Sequence, residues 1–159
     1  MAERKFWLMK SEPYVYGLDD LERDGSTLWD GVRNYQARNF MRDEMNQGDL
    51  ILYYHSNAKP PGVVGLATVS SEPYPDPTQF DESSKYYDAK STTDDPRWIL
   101  IDIAFEARFP RMVSLQDLKE DDDLDGMLVT KKGQRLSIQP VERRHMERVI
   151  ELAGSDYEV

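Results

Sequence analysis

The chain contains no cysteine and only two histidines, His55 and His145. Disulfides, Cys-based zinc sites and thiol catalysis are excluded, and most transition-metal sites lose their usual ligands. The absence of disulfides fits a reducing compartment. The longest apolar runs, such as Leu50–Tyr54 and Trp98–Ile101, are far too short to span a bilayer. The N-terminal stretch has no signal-peptide core, and no N-x-S/T acceptor occurs. These absences predict a soluble, cytoplasmic protein. At 159 residues the chain fits one domain, which can bury roughly 70% of its unfolded surface without covalent staples.

A positive balance is also lacking. The formal charge is -10, which argues against bulk, non-specific nucleic-acid binding, because that rests on Lys and Arg neutralising phosphates. The excess is local. Residues 69–127 hold 6 basic and 15 acidic side chains, whereas residues 1–68 hold 8 and 10 and residues 128–159 hold 6 and 5. The two ends of the chain can therefore fold into a near-neutral or locally basic face.

Phe6–Met9 reads as a strand closed by Lys10-Ser11-Glu12-Pro13, and Leu18–Glu22 as a short helix stopped by Gly25. Thr27–Trp29 is a short strand before the Asp30-Gly31 turn. Asn34 suits the N-cap of a helix that carries Ala37, Phe40, Met41 and Met45 on one face. Leu50–Tyr54 reads as a buried strand, and Val63–Val69 as another with Gly65 marking a bulge. Residues 70–97 form the longest irregular stretch. Trp98–Phe109 alternates as a single strand, with Ile99, Ile101, Ile103 and Phe105 on one side. Ser114 is placed to cap a short helix, residues 128–138 hold short β segments, and Pro140 opens a last helix with Met146, Val149, Ile150 and Ala153 as its stripe. The mixture lacks a βαβ alternation and predicts an α+β domain, a curved sheet or small barrel flanked by helices.

Asp121, Asp123 and Asp125-Gly126 imitate half of a calcium loop, but Lys132 stands where the closing acid is needed. His55 and Ser56 are adjacent on a strand and point to opposite faces, so they make a poor base–nucleophile pair; Ser11 with His55 is geometrically possible. Gly62-Val63-Val64-Gly65 spells G-x-x-G but in an apolar strand context. The aromatic content is more telling. Trp7 reads as core, whereas Trp29 and Trp98 stand at strand ends among Asn, Arg, Ser and His. Such residues can stack a flat heterocycle and read its edge, or simply pack as core aromatics with polar caps.

Three segments tip that balance: Trp7-Leu8-Met9-Lys10-Ser11-Glu12-Pro13, the run Trp29-Asp30-Gly31-Val32-Arg33-Asn34-Tyr35-Gln36-Ala37-Arg38-Asn39-Phe40, and Tyr53-Tyr54-His55-Ser56. Together with Tyr74-Pro75-Asp76-Pro77, Phe109-Pro110-Arg111 and Arg135–Val141 in the same order, they closely resemble the EVE domain family of bacterial stand-alone proteins and the eukaryotic thymocyte nuclear protein. The resemblance covers nearly the whole chain and implies a single domain over residues 1–154, with 155–159 as a C-terminal tail.

The resemblance further implies a PUA-like fold, a small bent β-barrel with peripheral helices, and a pocket for a modified nucleobase: modified cytosine in DNA or a modified base in RNA. In that reading Lys10, Ser11 and Glu12 line the pocket, Trp29 supplies a wall, and Val32, Arg33, Asn34 and Tyr35 shape the mouth. His55 and Ser56 close the opposite side, with Trp98 and Arg135–Gln139 as further lining. Lys10, Arg33, Arg38 and Lys59 are the phosphate contacts. No cofactor and no metal is implied. The net charge then predicts modest, salt-sensitive affinity. Two other readings stay open: a small enzyme acting on a modified nucleoside through Glu12, Asp30 or His55, and a protein-interaction module built on residues 70–97.

Overall fold

The computed structural model describes residues 3–159; Met1 and Ala2 lie outside the described residues. Its elements in chain order are β1 (Phe6–Ser11), α1 (Pro13–Tyr16), α2 (Leu18–Asp24), β2 (Ser26–Leu28), α3 (Tyr35–Asn39), β3 (Leu50–His55), β4 (Gly62–Val69), β5 (Tyr74–Pro75), β6 (Ile99–Leu100), β7 (Asp102–Ser114), α4 (Leu115–Glu120), β8 (Ile138–Val141) and α5 (Arg143–Leu152).

A six-stranded sheet in the order β2-β7-β4-β3-β1-β8 curls into a half-barrel, and β5-β6 pair separately. β1 and β3 run parallel, with Phe6 opposite Leu50 and Ser11 opposite His55, while the other neighbours are antiparallel. Alternate residues of a strand face opposite sides. Phe6 and Leu8 of β1, with Leu50 and Leu52 of β3, enter one core with Leu118, Met146, Val149 and Ile150 of α4 and α5. Trp7, Met9, Ile51 and Tyr53 enter a second core with Leu18, Leu21, Ala37 and Met41. Both faces of the central strands are covered, which is why β1 and β3 read as unbroken apolar runs. Trp7 is core as expected, and its indole N–H donates to buried Asp49 at 3.0 Å.

The curl depends on Gly65. The β3–β4 register shifts between Tyr53 and Tyr54, and the β4–β7 register between Val63 and Gly65. A Cβ at Gly65 would lie 2.5 Å from the Ala107 carbonyl oxygen and 2.7 Å from Leu18 Cδ2. Only glycine lets β7 and α2 approach this closely.

Four local expectations are corrected. The helix capped by Asn34 does not run unbroken to Met45: after α3 the Met45 N–H bonds the Phe40 carbonyl five residues back at 2.8 Å, making a wide π-helical turn over Phe40–Glu44. Ala37, Met41 and Met45 are still buried. The strand expected from Trp98 to Phe109 divides at Ile101: β6 pairs with β5, and β7 joins the large sheet. Trp98 precedes the first strand. Around Lys132-Gly133 there are no β segments: a single 3₁₀ turn, Leu128–Thr130, is followed by a loop to Ser137, and β8 begins only at Ile138. Pro140 does not open α5; it lies in β8 opposite Trp7, at the sheet edge where a missing N–H is tolerated. Beyond α5, Tyr157 and Val159 pack against the first core, and the Tyr157 hydroxyl donates to Glu106 at 3.0 Å. Among the described residues no helix is long and apolar enough to cross a membrane.

Candidate functional site

The end of β1, the segment following β2 and the turn following β3 converge on a cleft of about 1010 Å³. Lys10, Ser11 and Glu12 line it together with Ser56 and Asn57, which bond to Ser11 and Glu12, and Trp29 to Asn34 line it as well. Pairing places the first group: β1 runs beside β3 to its last residue, and the Ser56 N–H donates to the Ser11 carbonyl at 3.0 Å. The Ser11 hydroxyl donates to the Tyr16 carbonyl at 2.7 Å, and the Tyr53 hydroxyl reaches the same oxygen at 2.7 Å. Ser11 therefore presents acceptor lone pairs to the cleft. Glu12 accepts from the Tyr14 hydroxyl and from Asn57 Nδ2, and these bonds hold its carboxyl below the ordinary range. Burial lowers the pKa of Lys10, whose ammonium lies 5.7 Å from the Tyr54 ring centre.

Trp29 lines the same cleft. Its backbone N–H donates to the Ile101 carbonyl at 3.0 Å, prolonging the β2 edge by one residue. Its ring meets Tyr53 edge to face, 5.9 Å between centroids, and the half-buried indole borders the cleft. The following loop is held by Asp76. That carboxylate is 1% exposed and accepts four bonds: Gly31 N–H at 2.8 Å, Arg33 Nη1 at 3.1 Å, Thr78 N–H at 2.8 Å and Thr78 Oγ1 at 2.5 Å. Burial alone would push its pKa up, but the bonds from Thr78, Gly31 and Arg33 together outweigh it and hold the carboxyl below its ordinary value. Gly31 has φ +78°, and a Cβ there would sit 2.5 Å from the Tyr86 ring. Asn34 then caps α3, accepting from the Ala37 N–H at 2.9 Å.

Of the residues expected from sequence, Lys10, Ser11, Glu12, Trp29, Val32, Arg33, Asn34 and Ser56 meet at this cleft, and of the Arg135–Gln139 segment Arg135 and Ser137 do. Tyr35, His55 and Trp98 are not among its lining residues. Tyr35 stacks on Trp98 at 4.9 Å, with the Arg38 guanidinium 4.7 Å from the Tyr35 ring and that of Arg33 5.2 Å from the Trp98 ring. Buried Trp98 donates its indole N–H to Asp88 at 2.8 Å. This alternating stack fastens α3 to the 76–98 connection. His55 accepts the Leu18 N–H on Nε2 at 3.1 Å, which requires an unprotonated nitrogen, and burial lowers its pKa. Its place in the fold is to hold the start of α2.

Several expected phosphate contacts have other partners. Arg33 bonds Asp76, Thr78 and the Tyr86 carbonyl, and Arg38 donates to the Arg97 carbonyl at 2.7 Å and to Asn39. Lys59 is exposed but lies outside the cleft lining. The cleft cations besides Lys10 and Arg33 are Lys85 and Arg135. Among the described residues Arg135 makes no hydrogen bond or ion pair. The imitation calcium loop is closed by cation instead: Asp121 pairs with Arg148 at 2.7 Å. Among the described residues no acidic or histidine cluster is arranged to hold a metal.

The EVE domain model matches residues 5–152. This chain belongs to the EVE domain family. It is 40% identical over 169 residues to thymocyte nuclear protein 1 of Danio rerio, covering 94% of this chain and 72% of that protein. A solved Pseudomonas putida protein superposes with a TM-score of 0.89 at 44% identity, covering 93% of this chain and 99% of that one. Human THYN1, crystallised in complex with 5-methylcytosine-containing DNA, superposes with a TM-score of 0.85 at 38% identity, covering 98% and 99%. The half-barrel with its few helices is accordingly the PUA-like fold of EVE proteins.

Within this EVE domain, sequence reasoning left Asp30, Lys85 and Tyr86 out of the binding set. Asp30 lies in the run that carries the family resemblance, so its signal was present. Its pKa is raised, first by burial and then by the neighbouring Asp76 charge. Lys85 and Tyr86 come from the irregular 70–97 stretch, and only the folding of that connection over Gly31 brings them to the cleft.

Proposed function

We propose that this EVE domain is a non-catalytic DNA-binding module that takes a single modified cytosine into the cleft. The observation that carries the reading is the indole of Trp29, set edge to face against Tyr53 and lining the same cleft as the polar end of β1. One ring stacks on the aromatic surface while polar groups read its edge. The DNA complex of the human homologue supports the same ligand class. Lys10, Lys85 and Arg135 would take the flanking phosphates. With so few cations and a charge of -10, affinity would be modest and salt-sensitive. The enzymatic reading is disfavoured because His55, its strongest base, is bound to Leu18 and stands outside the cleft lining.

The test is fluorescence anisotropy at low salt with short DNA and RNA oligomers, single-stranded and duplex, each carrying one plain or 5-methylated cytosine. The expected result is a several-fold preference for the modified DNA, lost in Trp29→Ala while the protein stays folded. Equal binding of plain and modified oligomers, preference for RNA, or full preference retained without the indole would each overturn the reading.

A further inference from the structure

The cleft contains two lining carboxylates, Glu12 and Asp30. Glu12 is engaged by Tyr14 and Asn57. Asp30 has no side-chain partner among the described residues, and no cation lies within ion-pair distance of it. Its backbone is held from both ends: the Trp29 N–H is bonded to Ile101 at 3.0 Å, and the Gly31 N–H to Asp76 at 2.8 Å. Asp30 is thus an exposed carboxyl on a backbone fixed at both neighbours, with no other side chain engaging it, one residue from the Trp29 indole.

Resting on the function proposed above, we propose that Asp30 reads the Watson–Crick edge of the cytosine stacked on Trp29, and that it does so by sharing one proton with it. That edge presents the amine at position 4, a donor, beside ring N3, an acceptor. An ionised carboxylate offers acceptors only. One oxygen receives the amine and the other meets the N3 lone pair. A proton taken from solvent and held between that oxygen and N3 converts the repulsion into a second hydrogen bond. The surroundings favour retaining the proton. Asp30 is exposed as a residue, but desolvation of its carboxyl at the cleft wall is the largest influence on it, and Asp76 adds like-charge repulsion from the β5 side, where Tyr74 also faces it; its own backbone N–H, then Arg33 and Lys85, oppose the effect more weakly.

The binding of a DNA oligomer carrying one 5-methylcytosine, followed from about pH 8 to about pH 5.5 at constant ionic strength, tests this. No other cleft side chain titrates there by its ordinary value. Wild-type affinity should rise several-fold as pH falls. Asp30→Asn carries a permanent donor beside an acceptor and should bind with little pH dependence, near the wild-type affinity at the acid end. Asp30→Leu should be weaker by roughly tenfold or more throughout, with an unchanged thermal melt. His55 is intact in both variants, so a slope that disappears with Asp30 belongs to Asp30. A flat wild-type profile, or a slope and affinity that survive in Asp30→Leu, would overturn the assignment while leaving the wild type's preference for modified cytosine standing. A wild type without that preference at any pH would overturn the assignment and the proposed function together.

Discussion

Asparagine at position 76 tests how the cleft is held. Asp76 Oδ1 accepts the Thr78 N–H at 2.8 Å and the Thr78 hydroxyl at 2.5 Å, and Oδ2 accepts the Gly31 N–H at 2.8 Å and Arg33 Nη1 at 3.1 Å. All four partners donate. An asparagine amide sets its NH₂ against donors either way: at the Oδ2 position both bonds are lost, at the Oδ1 position the Thr78 N–H bond is lost while the Thr78 hydroxyl can turn to accept, and in both Arg33 loses its counter-charge. Hydrogen bonds to charged groups contribute about 1.5–3 kcal/mol each, and breaking a buried ion pair costs about 3–5 kcal/mol. The two figures overlap rather than add, because the Arg33 bond is the ion pair, and the Arg33 side chain is 22% exposed and keeps its bonds to the Tyr86 carbonyl. We expect a loss of about 3–5 kcal/mol, or roughly 10 °C in melting temperature for a domain of this size. Urea unfolding followed by tryptophan fluorescence would give this as a lower midpoint at unchanged slope. A double-mutant cycle with Arg33→Met should show coupling of about 1 kcal/mol or more. The sign with pH is also determined. The folded-state pKa is below the unfolded one, so the Asp76 contribution is fully present above the ordinary carboxylate value and is lost as pH falls through the folded value. The gap between wild type and Asp76→Asn should therefore narrow below about pH 4. A variant within about 0.5 kcal/mol of wild type at neutral pH would refute the reasoning.

Three other outcomes follow from the same structure. Gly65→Ala drives a Cβ into the Ala107 carbonyl oxygen and Leu18, and should cost about 1–3 kcal/mol in urea unfolding; a neutral effect would show that β4 and β7 can part freely. Burial lowers the folded-state pKa of His55 below 6.5, so its stabilising contribution is present above about pH 6.5 and declines as pH falls toward the folded value. The denaturation midpoint of wild type should drop more between about pH 7 and pH 5 than that of His55→Gln, which retains an acceptor without a titration; parallel profiles would contradict this. Arg135→Ala should reduce the slope of log affinity against log salt by about 0.7–0.9, whereas an unchanged slope would remove Arg135 from the phosphate track.

Much of the fold was legible because its signals are local. The apolar runs of β1 and β3, the Asn34 and Ser114 caps and the Met146–Ala153 stripe are determined by side-chain pattern and capping chemistry within a few residues. The failures were equally local in origin. Proline at position 140 satisfies either a helix start or an edge strand, and only its pairing opposite Trp7 chooses. The alternation from Trp98 onward is continuous in sequence, but its two halves join different sheets at Ile101.

At the cleft, sequence alone determined the residue types: an indole at a strand end, a polar closing segment on β1 and a capped helix start, all carried by runs that resemble EVE domains. Their division between cleft and scaffold was a tertiary outcome. Trp29 faces the cleft, whereas Tyr35 and Trp98 stack on each other. Arg33 and Arg38 are drawn into bonds with the 76–98 connection, and Lys85 and Arg135 reach the cleft from distant segments. The physical reason is that a charged or aromatic side chain takes whichever partner the chain returns to it. That return is set by sheet order and long-range packing, which no window of neighbouring residues contains.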